Sequence, residues 1–202
     1  QTAEAAKIKN EMDKRINEAA TANPKDKNVQ SKQLSIYASS EQYEKAAKLF
    51  DEMNAKGQIT TNSEYEAGYI SYYNWPEHEK QVIAIINEGL TKKVIPENDK
   101  VYQILGHSYY MANNTAGAIE AWSKGALLSK DGEQNLLLAQ LLSEENEYTK
   151  SKEQAQQALS KGVKNKGEAY LILALIESEF GLNNRTAMIE ALNQAAKYPE
   201  SK

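Results

Sequence analysis

One short signature returns along this chain at nearly constant intervals, and it restricts the fold more than any other feature. Residues at spacing i, i+4, i+7 recur as Ala46/Phe50/Met53, Val82/Ile86/Gly89, Ala118/Trp122/Gly125, Ser151/Ala155/Ala158 and Met188/Leu192/Ala195. The first members, 46, 82, 118, 151 and 188, lie 36, 36, 33 and 37 residues apart. That spacing is one face of an α-helix. Apolar residues return three and four apart almost everywhere else, and only 4 Pro and 10 Gly interrupt 202 residues. An all-α chain follows. A period in this range predicts units that cannot each bury their own apolar face and must stack.

A companion signature precedes each of these. It reads Leu34/Tyr37, Tyr65/Gly68/Tyr69/Tyr72, Tyr102/Leu105/Gly106/Tyr109, Asn135/Leu138/Ala139/Leu142 and Tyr170/Leu173/Ala174/Glu177. Each unit is then two antiparallel helices, with small residues where they cross closest and large ones beside them. The units span 29–56, 63–91, 98–129, 132–161 and 166–198. Met12/Ile16/Ala19 repeats the second-helix signature 34 residues before Ala46, so 2–21 reads as a lone or capping helix. The predicted helices are 2–21, 29–39, 41–56, 63–73, 76–91, 98–112, 115–129, 132–145, 148–161, 166–180 and 184–198. The longer linkers are 22–28, with Pro24 and Lys25, and 91–98, with Pro96. Local signals mark the ends. Ser63-x-x-Glu66 reads as a capping box, Pro76 as first-turn proline and Thr115 as an N-cap. Gly57 and Gly181 read as helix stops. The spans leave no domain boundary, so 1–202 reads as one repeat domain.

The segment Tyr102-x-x-Leu105-Gly106-x-x-Tyr109, followed by Ala118-x-x-x-Trp122-x-x-Gly125, resembles the tetratricopeptide repeat (TPR). The resemblance runs from about Val29 to Pro199. It departs from the pattern at Ser151 and in the turn Leu182–Thr186. It implies a right-handed α-solenoid of antiparallel helix pairs: about five units plus an N-terminal single helix. A narrower resemblance rests on longer phrases. These are Lys56-Gly57-Gln58-Ile59-Thr60, Lys92-Lys93-Val94-Ile95-Pro96, Leu128-Ser129-Lys130-Asp131-Gly132, Gly167-Glu168-Ala169-Tyr170 and Ala195-Ala196-Lys197-Tyr198-Pro199. Together they are similar to the C-terminal half of periplasmic TPR proteins associated with TonB energy-transduction systems of Gram-negative bacteria. That resemblance implies a periplasmic location and a part in TonB-dependent uptake. Gln1 begins directly in a helical pattern, with neither a basic n-region nor an apolar h-region. The expectation is a mature form, a fragment, or a chain made without a signal, and a cytoplasmic location is the alternative.

Composition narrows the chemistry. The net charge is −4, and Arg15 and Arg185 are the only arginines. A nucleic-acid partner is excluded for want of a basic face. The longest apolar run, Tyr170–Ile176, is seven residues, against roughly 20 for a membrane-spanning helix. Without cysteine there is no disulfide framework, zinc thiolate or thiol nucleophile. His78, between Glu77 and Glu79, shares no helix face with them, so no metal site is expected. Paired carboxylates such as Asp51-Glu52 and Glu144-Glu145 read as solvated faces. No G-x-S-x-G elbow, P-loop or dinucleotide fingerprint is present. The expectation is a non-enzyme with no cofactor and no metal.

Binding should fall to the concave face lined by stacked first helices. Counting from the signature places Ser31, Ser35 and Ala38 there in the first unit, then Glu66, Ile70 and Tyr73. The later units supply Gln103, His107 and Tyr110, then Leu136, Gln140 and Ser143, then Leu171, Leu175 and Ser178. Tyr combines large contact area with a hydrogen-bonding tip. Chaperone-binding TPR domains clamp a C-terminal carboxylate with Lys, Arg and Asn; this column has only Lys100 near its edge. A basic or mixed polar–apolar segment fits better. The expected function is a protein–protein interaction scaffold, with TonB-system components as partners and self-association through exposed array ends. The competing readings are an envelope assembly factor, pilotin-like or for lipoprotein assembly, and a regulatory TPR domain of a larger enzyme.

Overall fold

A computed structural model describes residues 3–23, 26–178 and 180–198. Thr2, Pro24, Lys25 and Glu179, which the predicted helices and linkers include, and Pro199, where the resemblance ends, lie outside the described residues. Among the described residues the chain forms eleven α-helices and no strand. They are α1 (Ala3–Ala22), α2 (Lys27–Ser39), α3 (Tyr43–Ala55), α4 (Asn62–Tyr73), α5 (Glu79–Thr91), α6 (Asp99–Met111), α7 (Thr115–Leu128), α8 (Glu133–Glu144), α9 (Tyr148–Lys161), α10 (Lys166–Glu177) and α11 (Arg185–Ala195). The chain divides into two compact units, Gln1–Glu97 and Asn98–Lys202.

In the first unit, α2 packs on α1, α3 and α4, and α4 packs on α3 and α5. Both signatures point inward. Leu34, Ala46, Phe50, Met53, Tyr65, Val82 and Ile86 are all at most 1% exposed. Each such large side chain contributes about 1.5–3 kcal/mol by leaving water. Phe50 meets Tyr65 edge to face, ring centroids 6.3 Å apart.

In the second unit, the pairs α6–α7, α8–α9 and α10–α11 pack in sequence, and α10 also lies on α8 and α9. One core cluster is Ala118, Trp122, Leu138, Leu141 and Leu142; another is Leu136, Ala158, Val163 and Ala169. Gly106 explains the close pass of α6 and α7. A Cβ there would lie 2.4 Å from the Trp122 indole, so the bulky and the bare position are one joint.

Helix ends differ from expectation in four places. The capping box is Thr61/Glu64, not Ser63/Glu66: the Thr61 hydroxyl accepts from the Glu64 amide and the Glu64 carboxylate from the Thr61 amide. Both readings satisfy the local pattern, and a tertiary bond separates them. Buried Glu64 also accepts from the Ser31 hydroxyl on α2 at 2.6 Å and the Thr60 amide at 2.7 Å. Pro76 does not open α5. The chain passes through Glu77 at φ 67° and starts the helix at Glu79. His78 stacks on Trp75 at 3.9 Å and its Nδ1 lies 2.7 Å from the Pro76 carbonyl, which holds 75–78 as a turn. Asn114, not Thr115, caps α7, its side chain accepting from the Gly117 amide. Finally, α10 stops at Glu177 rather than 180; the amides of Leu182 and Asn184 fold back onto the carbonyls of Ile176 and Glu177. Gly57 does end α3, at φ +67°.

The Glu64 network makes stability depend on pH. Burial pushes the Glu64 carboxyl up, but hydrogen bonds from Ser31, Thr60 and Thr61 outweigh it and hold it below its ordinary value. A depressed carboxyl contributes fully above the unfolded pKa, and that contribution is lost as pH falls through the folded value. Glu64→Gln should therefore be less stable than wild type at neutral pH, and the gap should close as pH falls through the folded value of Glu64. Urea midpoints measured from pH 7 to pH 3 check this; a constant gap would show that the Glu64 charge is not the cause.

Candidate interaction surface

The sequence-predicted site residues sit on first helices, and each unit presents its own share. In the first unit, α4 turns Tyr65, Ala67, Gly68, Tyr69, Ser71 and Tyr72 inward. What remains partly open on its other side is Glu66, Ile70 and Tyr73, the last 39% exposed. The tyrosines around them stay neutral. Burial pushes Tyr69 up to about 12, with the Glu66 charge adding to it. Burial and a 2.6 Å hydrogen bond to Asp51 push Tyr72 up as well. These rings act as contact area and hydrogen-bond donors, not as bases. Ser31 and Ser35 of α2 line a different feature. They border a concavity of about 580 Å³ with Met12, Arg15, Ile16, Lys32 and Ile36.

In the second unit, α6 buries Val101, Tyr102, Ile104, Leu105, Gly106 and Ser108 and exposes Gln103 and His107. Tyr110 is 40% exposed, and its ring leans on Trp122 with centroids 5.9 Å apart at 36°. One face of that ring is thus fixed by the core. Gln140 is exposed on α8 and donates to Glu144 at 3.3 Å. Leu171 and Leu175 are 41% and 55% exposed on α10.

Leu136 corrects the expectation. It is 7% exposed and belongs to the cluster with Ala158, Val163 and Ala169. Leu136 and Leu171 hold the same repeat position, so counting alone cannot tell them apart. The difference is tertiary: α10 covers Leu136, and no described helix covers Leu171 in that way. Ser143 is likewise buried.

The repeat register does not point to the α1/α2 concavity. Met12 and Ile16 match the second-helix signature, yet Met12 is 54% exposed and Ile8, one turn earlier, 57%. The Ile8/Met12/Ile16 stripe at four-residue spacing is the signal in the sequence that could have found it. Nor does the register account for the exposure of Leu127, at 87%, and Met111, at 53%.

Among the described residues no group of three or more His, Cys, Asp or Glu could hold a metal ion. No described helix is long and apolar enough to cross a membrane. What the two units offer is shallow aromatic, polar and aliphatic contact area on rigid helices, suited to recognition.

No protein-family model matches the sequence, and no curated protein matches it by sequence. Solved structures match by shape. YrrB, a TPR protein with an unusual peptide-binding site, superposes with a TM-score of 0.72 at 16% identity, covering 90% of this chain and 91% of that one. PilF of Pseudomonas aeruginosa does so with a TM-score of 0.65 at 16% identity, covering 96% of this chain and 86% of that one. With its helix pairs and its repeat period, this chain has the tetratricopeptide-repeat fold.

Proposed function

We propose that this chain is a non-enzymatic protein-interaction scaffold whose first helices hold a partner segment. The observation that carries the reading is the division of α6. Every inward position is filled by core, while Gln103, His107 and Tyr110 stand outward at i, i+4 and i+7. A helix face that needed only solubility would carry charge; this one carries an imidazole, an amide and a phenol. Tyr73 in the first unit and Leu171 and Leu175 in the second extend the same chemistry. A segment combining apolar with polar or basic side chains complements it. The fold shared with a peptide-binding TPR protein agrees with this reading by analogy.

The finer reading is a periplasmic scaffold that contacts TonB-system components in TonB-dependent uptake. Its support is the set of loop and helix-end phrases in the sequence. A cross-linked pull-down from the native cell envelope tests both levels. It compares wild type with Tyr73→Ala and with His107→Ala/Tyr110→Ala, after circular dichroism shows equal helicity. Loss of an exposed aromatic anchor should weaken capture roughly tenfold or more. Undiminished capture by both variants would move the site off the first helices. Capture that depends on these residues but brings down no TonB-system protein would retain the scaffold and reject the TonB link.

A further inference from the structure

The second unit contains a polar cleft between α9, α10 and α11, of about 360 Å³, lined among others by Lys152, Gln156, Tyr170, Glu177, Glu190 and Gln194. It lies on the side of α10 opposite Leu171 and Leu175, so it is independent of the first-helix surface. Its floor is unusual. Glu177 is 3% exposed; one carboxylate oxygen contacts the Lys152 ammonium, and the other has no hydrogen-bond partner. A buried acceptor without a donor is costly, and more so when charged.

The repeat explains why the cleft exists. Glu177 stands where the first three units have Tyr37, Tyr72 and Tyr109 and the fourth has Leu142. In the first unit those phenols reach the preceding second helix: Tyr37 donates to Asn17 at 2.9 Å and Tyr72 to Asp51 at 2.6 Å. Asn17 and Asp51 each follow the first signature residue of their helix, Met12 and Ala46, by five. Gln156 holds the same place after Ser151. The fifth unit therefore has the partner position but a carboxylate where three other units place a ring and the fourth an aliphatic side chain. A cleft remains, with the buried carboxylate at its base.

We propose that this cleft receives an arginine guanidinium from a bound protein. The group is planar, as the missing ring is. Its charge suits a lining with two carboxylates, Glu177 and Glu190, against one cation, Lys152. Its several N–H donors can serve the unpartnered Glu177 oxygen and the amide oxygens of Gln156 and Gln194 together, which a compact ammonium cannot. Lys152 engages only one Glu177 oxygen, and its side chain is 33% exposed, so it can turn to solvent on entry.

The test is an NMR titration of the full chain with three probes: Nα-acetyl-arginine methylamide, the lysine analogue and the uncharged citrulline analogue. The arginine probe should give saturable shifts at the amides of Lys152, Gln156, Glu177 and Glu190. The lysine probe should bind at least about fivefold more weakly and citrulline should not bind. Glu177→Gln should weaken the arginine probe about tenfold or more. Glu177→Tyr, which restores the ring, should abolish binding. Glu190→Gln, at an exposed rim position, should weaken binding without altering the fold. No saturable shift, equal binding of citrulline, preference for lysine, or unchanged affinity in folded Glu177→Gln would each overturn the proposal.

Discussion

Replacement of Trp122 by alanine is expected to lower the unfolding free energy of the second unit by about 3–5 kcal/mol. Trp122 is 3% exposed and packs with Ala118, Leu138, Leu141 and Leu142, which come from its own helix and from α8. Its indole N–H donates to the Gln103 carbonyl at 3.3 Å, and its ring occupies the space left by Gly106. Truncation would therefore open a cavity bordered by three helices, and α8 cannot collapse into it freely because it is also packed against α9 and α10. It would also remove the support beneath Tyr110. Chemical denaturation followed by far-UV circular dichroism checks the stability. A loss below about 1 kcal/mol would mean that the α6–α7–α8 joint is not the main core of this unit.

Gly132→Ala should cost about 3 kcal/mol, at the upper end for overpacking. The added Cβ would lie 2.2 Å from the Ala158 carbonyl oxygen and 2.6 Å from its Cα, both backbone atoms of α9. Neither can rotate away as a side chain can. The Gly132 amide also donates to the Gly162 carbonyl at 2.9 Å, so α8 cannot shift outward without breaking that bond. Gly57→Ala is the control. Nothing lies within 4 Å of the place a Cβ would take there, but φ is +67°, and the expected cost is only the left-handed backbone penalty of about 1 kcal/mol. Thermal denaturation of the two variants separates steric contact from backbone preference; equal losses would remove the distinction.

The helices and their order were legible in the sequence. Every predicted helix has an observed counterpart, because the spacing i, i+3, i+4 is local and five copies reinforce one another. Exposure of Tyr73, Gln103, His107, Tyr110, Gln140, Leu171 and Leu175 was legible for the same reason: each lies opposite a signature residue on its own helix. Leu136 was not. Its register is that of Leu171, and only the placement of α10 on α8 buries it. Caps failed similarly. Thr61/Glu64 and Ser63/Glu66 are equivalent two-point patterns until Ser31, on another helix, donates to one carboxylate and not the other.

By itself, then, the sequence determined an all-α repeat of helix pairs and which side of each helix is apolar. Both follow from side-chain periodicity along a single helix. The tertiary structure decided what covers each face. It sealed Leu136 and left Leu171 open. It buried Glu177, at the position that a tyrosine takes in the first three units, at the base of a cleft. Those outcomes depend on contacts between residues distant in sequence, and no periodicity within one helix encodes them.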